Sequence, residues 1–190
     1  MTEQTDKKTR IMRSTLKIIT DHGFHGTPVS MIAEDAGVGA GTIYRYFENK
    51  EAIINELYDA IQKELHEATM KNVTDNVSVC DEFYIKWKNI LTYFLEHPYE
   101  AKFIEQYSAS PYISPKVMEE TSRRNAHLKV LIKRGLERKE IRSIDYNTIA
   151  VYMWGTVKHL HYLHAAGAAK ITEELIDEIY SVFWEGIRER

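Results

Sequence analysis

Cysteine is almost missing from this chain: Cys80 is the only one in 190 residues. An intrachain disulfide is therefore excluded, and so is any CxxC pair for redox or zinc chemistry. No run approaches 18 consecutive apolar residues, so the sequence offers no membrane span. The opening MTEQTDKKTR has no apolar stretch of the secretory type, and a cytoplasmic protein is the expectation. Proline (four) and glycine (nine) are sparse. Asn-Gly and Asp-Gly hairpin dipeptides do not occur, and long alternating β-branched runs are missing, which argues against sheet. His-Glu-x-x-His, Gly-x-Ser-x-Gly and Glu-x-x-His are all lacking, which removes the zinc-protease, serine-hydrolase and di-iron signatures. Neither a catalytic constellation nor a cofactor or metal is expected. His161 and His164, at i and i+3, read as interface or core residues. The net charge of −3 does not describe a general polyanion binder.

Helical periodicity is what fills the chain. The expectation is an all-α protein with helices over about 7–22, 28–36, 40–46, 51–71, 77–96, 114–139, 145–166 and 171–187, plus a short one through Phe103 and Tyr107. Gly23 ends the first helix. Thr27 then serves as N-cap and Pro28 as first helical residue, where a missing N–H costs nothing. Gly37 supplies a C′ glycine. VTDNVS, 73–78, reads as a junction.

The stretch AGVGAGTIYRYFENK, 36–50, resembles a phosphate loop at first sight. A dinucleotide fingerprint needs a strand before its glycines, and here a helix precedes them. No Gly-Lys-Ser/Thr follows for a Walker loop. Two short helices joined by a glycine turn make a helix-turn-helix. Ile43 and Phe47 should face inward with Ile32 and Ala33. Gly41, Thr42, Arg45 and Tyr46 should face outward, with Tyr44 at the margin. Small Ala40 and Gly41 permit close approach to base edges, and Arg45 can fork onto guanine. Lys50 and the tyrosine hydroxyls are candidate phosphate donors. Thr27 and Ser30 complete the expected DNA-facing set. Tyr44 and Tyr46 also suit packing of a small three-helix domain. Lys7, Lys8, Arg10 and Arg13 give a local basic edge. Residues 1–50 hold seven Lys/Arg against six Asp/Glu, and the remainder eighteen against twenty-two. The acidic part is not expected to lie along DNA.

HGFHGTPVSMIAEDAGVGAGTIYRYFENKEAI resembles the DNA-binding domain of the TetR family of bacterial transcriptional regulators. The shared pattern is a Gly-aromatic pair, Thr at the second helix, Ile-Ala, Ala-Gly-Val, Gly-x-x-Tyr-x-Tyr-Phe and a following Lys. Gly39 departs from it where the family often carries Ser. The resemblance implies an N-terminal helix-turn-helix domain, 1–50, with 51–71 as connector, and a helical effector-binding and dimerisation domain, 72–190. It also implies a homodimer, a near-palindromic double-stranded operator and release of DNA by a ligand.

Two further features bear on that implication. The helices at 145–166 and 171–187 are apolar on more than one face, and one face of each is expected to meet a second copy. Large rings recur toward the bundle centre, and Trp87, Phe103, Tyr107 and Trp154 are the candidate lining of a pocket for a small apolar, uncharged or weakly polar effector. The expected function is a ligand-responsive repressor. The alternatives are a helical-bundle enzyme and a DNA-binding regulator without an effector.

Overall fold

The computed structural model describes residues 3–74 and 77–190. Met1 and Thr2 of the polar start, and Asp75 and Asn76 of the expected junction, lie outside the described residues. Ten helices occur among the described residues, with no strand: α1 (Glu3–His22), α2 (Val29–Asp35), α3 (Ala40–Tyr46), α4 (Lys50–Met70), α5 (Val79–Glu96), α6 (Pro98–Tyr107), α7 (Pro115–Arg124), α8 (Ala126–Glu137), α9 (Tyr146–Ala165) and α10 (Glu173–Ile187). None of these is long and apolar enough to cross a membrane. The chain forms two compact units. Unit one is Met1–Gln62 with Tyr99–Thr121, and unit two is Lys63–Pro98 with Ser122–Arg190.

Unit one begins with the amphipathic α1, whose inner stripe packs onto α2 and α3. Ile11, Ile18, Ile32, Ala33, Ala36, Ile43, Phe47 and Ile53 form its core. The buried threonines of α1 satisfy themselves: Thr15 donates to the Ile11 carbonyl at 2.8 Å and Thr20 to that of Leu16 at 2.9 Å. Such back-bonding removes the cost of a buried hydroxyl. Gly23 (φ 70°) and Gly37 (φ 62°) end α1 and α2 in the left-handed region, which glycine enters without a Cβ clash. Asn49 caps α4 by accepting from the Ala52 N–H at 2.8 Å.

A later piece of chain completes this unit. Tyr112, beyond α6, stacks on Phe24 with centroids 3.7 Å apart and bonds His25 Nε2 through its hydroxyl at 2.9 Å. Asn55 of α4 donates to the Tyr112 carbonyl and accepts from the Ser114 N–H, both at 2.7 Å. Lys102 pairs with Asp21, and Gln106 donates to the Thr20 carbonyl.

Unit two is organised around α5. Phe83, Trp87, Ile90, Leu91 and Phe94 are buried on it, and α8, α9 and α10 pack against it. The single helix expected over 114–139 is two helices. Asn125 interrupts it at φ −85°, ψ 2°, in the sparsely populated bridge region. Asparagine is a poor residue for a helix interior because its amide competes with the backbone. At the end of α8, Gly135 is buried against Ile141 and Val79. The chain leaving α10 is tied to the α8–α9 loop by Arg142 N–H to the Ile187 carbonyl and Glu189 N–H to the Glu140 carbonyl, both 3.0 Å.

Candidate nucleic-acid interface

The glycine turn holds α3 against α2 so that one side of α3 is buried and the other is bare. Ile43 and Phe47 point into the core, as the four-residue spacing predicts. Ala40, Gly41 and Arg45 are exposed, Thr42 is partly so, and Ser30 of α2 is exposed as well. Gly39 caps α3 in an extended conformation (φ −70°, ψ 146°) with no side-chain bond. The bare side therefore presents small residues at the helix start and a guanidinium one turn later. That arrangement suits insertion into a major groove.

Several expectations are corrected here. Tyr46 is partly buried against the core, while Tyr44 is 57% exposed. The reason is spacing: Tyr46 is three residues beyond Ile43 and shares its face. Thr27 is fully buried and offers no surface to DNA. Its hydroxyl donates to the Gly23 carbonyl at 2.7 Å, closing the α1–α2 loop, and Pro28 occupies the N-cap position of α2. Lys50 points inward as well. Its ammonium donates to the carbonyls of Phe24 and Thr27 and lies 4.0 Å from the centroid of the Phe24 ring. Burial pulls its pKa below the usual lysine value. With two of three N–H donors on backbone oxygens, Lys50 anchors the start of α4 rather than reaching freely for phosphate. In the basic edge of α1, Lys8 pairs with Glu56, and Arg10 pairs with Asp6 and donates to the Ala36 carbonyl at 3.1 Å.

The four aromatic residues expected to line one pocket are divided between the units. In unit one, Phe103 stacks on Tyr107 at 4.7 Å, and burial pushes the Tyr107 hydroxyl up to about 12. In unit two, Trp87 is buried and donates from Nε1 to Thr156 Oγ1 at 3.0 Å, and Trp154 is near Phe94. His161 is buried with its ring edge toward Phe94, while His164 is exposed.

The second face of α9 and α10 is open. Tyr152, Gly155, His159 and Tyr162 follow one another at three- and four-residue steps on α9, and Leu175, Ile179, Val182 and Gly186 do so on α10. Val182 is 72% exposed and Tyr162 63%. A groove of ≈ 740 Å³ runs between the two helices, lined by Tyr152, Ile179 and Val182 among others. Added Cβ atoms at Gly155 and Gly186 would meet nothing within 4 Å.

A group missed by sequence reasoning is internal. Glu82 and Lys86 of unit two form a buried ion pair, joined by the partly exposed Arg134, beside His66 and His127. The signal was present: Glu82 and Lys86 lie at helical spacing on the same stripe as Val79, Phe83 and Ile90.

Comparison with known proteins matches both parts of the chain. Residues 11–57 match the family model of bacterial regulatory proteins of the tetR family. Residues 79–188 match the tetracyclin repressor-like C-terminal domain. The fatty acid metabolism regulator protein of Bacillus subtilis is 41% identical over 58 residues, 30% of each chain. The chain matches between 30% and 58% of the length of the first curated relatives. A TetR family transcription regulator from Marinobacter aquaeolei VT8 superposes with TM-score 0.90 at 22% identity, over 98% of this chain and 97% of that one. The regulator FadR from Bacillus subtilis, solved with stearoyl-CoA, gives TM-score 0.76 at 20% identity, over 94% and 98%. These two likenesses establish a shared fold.

Proposed function

From the membership of this chain in the TetR family of DNA-binding transcriptional regulators, we propose that it is a homodimeric repressor released from its operator by a small organic molecule. The bare side of α3 carries this reading. Arg45 reads a base edge, with Ala40, Gly41 and Thr42 allowing close approach. Ser30 and Tyr44 contact the backbone. The part-buried Tyr46 and the anchored Lys50 hold the reading helix in place, and Thr27 holds the loop behind it.

The unpartnered stripes on α9 and α10 support dimerisation. A second copy would cover Tyr152, Tyr162 and Val182, and the open glycines would let helices approach closely. Two reading helices would then engage half-sites about 34 Å or a multiple apart, on a near-palindromic operator. Support for an effector comes from a neighbour of the same fold that was solved with stearoyl-CoA. Both α4 and α7 begin in unit one and end in unit two. A ligand that prefers one conformation of unit two could thus shift the head through continuous helix, but only by its differential affinity.

DNA selected by the protein from a random pool tests the reading. Arg45→Ala should weaken binding to the selected sequence by about 1–3 kcal/mol and relax preference at one base position. Undiminished affinity and unchanged preference would remove Arg45 from the site. Light scattering should give twice the chain mass of 22.2 kDa; a monomer at micromolar concentration would refute the dimer.

A further inference from the structure

Three side chains of α1 meet the far end of α2. Arg10, Ser14 and Lys17 follow one another at four- and three-residue steps, so they share a face of the helix. Lys17 donates to Asp35 Oδ1 at 2.8 Å, and Ser14 bonds the same carboxylate. Lys17 first, then Ser14, hold the Asp35 carboxyl below its usual value. Arg10 takes a backbone partner instead. Its Nη1 donates to the Ala36 carbonyl, 26 residues away, at 3.1 Å. Its Nε lies 3.4 Å from Asp6 Oδ2, one turn earlier on α1. The guanidinium is thus held, partly buried, between its own helix and the turn that precedes α3.

That turn closes through two backbone bonds of the Schellman type. The Val38 N–H donates to the Ala33 carbonyl at 2.9 Å, and the Gly37 N–H to that of Glu34 at 3.1 Å, with Gly37 at φ 62°. Neither bond uses the Ala36 carbonyl, which lies past the last turn of the α2 ladder. Arg10 provides its donor, at a helix end where a cation complements the aligned peptide dipoles. The approach is close: a Cβ at Gly37 would stand 3.5 Å from Arg10 Nη1. Residues 37–39 alone separate Ala36 from α3, and Gly39 caps α3 without a side-chain bond. The pose of α3 therefore rests on Ile43 and Phe47 in the core, on the backbone closure, and on what holds Ala36.

We propose that Arg10 is a positioning residue for DNA recognition: through the Ala36 carbonyl it fixes the turn between α2 and α3, and so sets the pose from which Arg45 meets a base, without touching DNA itself. This rests on the reading of α3 as the DNA-reading helix. It gives Arg10 a different task from the phosphate contact that a place in a basic edge suggests. An exposed ion pair such as Lys17 with Asp35 contributes little. A charge-assisted bond to a partly buried carbonyl contributes more. Without that bond the turn samples other arrangements, and apparent DNA affinity falls with the fraction of heads still in the binding pose.

The test uses the full chain and the selected DNA. Arg10→Gln, Lys17→Met and Arg45→Ala are compared at a temperature where circular dichroism shows each fully folded. Arg10→Gln should weaken binding by about tenfold. Its base preference and the slope of log affinity against log salt should match those of the unaltered chain. Loss of a phosphate contact would lower that slope by about one unit, and a lowered slope overturns the proposal. The amide NMR signals of Gly37, Val38 and Gly39 should shift in free Arg10→Gln and return on saturation with DNA, because the duplex draws α3 into the pose the side chain had held. Signals that do not move overturn the proposal as well. Lys17→Met cuts a tie to the same helix end without touching the turn, and its affinity should stay within about twofold. A loss as large as that of Arg10→Gln would mean a general loosening of the head, and the positioning role falls. Unaltered affinity in Arg10→Gln, with binding weakened in Arg45→Ala, removes Arg10 and keeps α3 as the reading helix. Unaltered affinity in both removes α3 from that role, and Arg10 with it.

Discussion

Acidification should unfold this protein partly through a single imidazole. In the folded chain His127 titrates at about 4, held down first by burial and then by Lys86 and His66. In the unfolded chain it returns to the ordinary value near 6.5. Between these limits the unfolded state binds a proton that the folded state refuses, so stability falls as pH falls. The loss attributable to His127 is about 2 kcal/mol on going from about pH 7 to about pH 5, and about 3 kcal/mol by about pH 4. His66, shifted the same way by burial, Arg124 and Lys86, adds in the same direction. Glu82 behaves differently. Burial raises its pKa, but hydrogen bonds from Lys86 and Arg134 prevail and hold it below the usual carboxylate value, so its stabilisation fades only at more acidic pH. The assay is urea denaturation of the chain and of His127→Gln at matched concentration, since an oligomer's stability depends on it. Trp87, Trp154 and Trp184 all belong to unit two, so their fluorescence reports on the relevant unit. The unaltered chain should lose about 2 kcal/mol more than the variant between about pH 7 and about pH 5. Parallel losses would show that His127 is not held neutral by its surroundings.

Two further substitutions test the packing. Lys50→Met leaves the carbonyls of Phe24 and Thr27 without their donor and should lower head stability by about 1–3 kcal/mol in the absence of DNA; an unchanged melting curve with lost DNA binding would make Lys50 a phosphate contact alone. Gly135→Ala places a Cβ 2.4 Å from Ile141 Cδ1 and 3.1 Å from Val79 Cγ1. A helix gains up to about 1 kcal/mol from Gly→Ala, but both neighbours are buried and overpacking costs about 1–3 kcal/mol, so the melting temperature should fall; a rise would show that Ile141 can move aside.

Local signals made the head legible. Gly37, Ile43 and Phe47 fix the turn and the inward face of α3 by conformation and spacing alone, and the outward Arg45 follows. The misread residues are those whose partners are distant in sequence. Thr27 is an exception: its partner Gly23 is only four residues away, but a Thr before Pro reads equally well as an N-cap. Lys50 reads as a phosphate donor until Phe24 and Thr27 are placed beside it, 26 and 23 residues away. The same holds for Phe103 and Tyr107. Their apolar spacing marks them as buried without saying in which of two cores. Glu82 and Lys86 were passed over because charged residues on an apolar stripe look like its edge. Only the arrival of Arg134 from α8 shows them to be inside.

The reach of residues 99–121 into unit one has a bearing on inheritance. The peptide backbone passes between the units at 62–63, 98–99 and 121–122, so neither unit is one uninterrupted stretch of gene. A cassette ending at residue 62 would carry the whole reading helix yet leave Phe24, His25 and Asn55 without Tyr112 and Ser114. Chimeras that graft this head onto a foreign sensor would have to bring the α6–α7 stretch along or redesign the surface it covers. Recombination between relatives meets the same constraint: a crossover after α4 joins one parent's loop to another parent's Phe24, and the exchange survives only where the two surfaces still match.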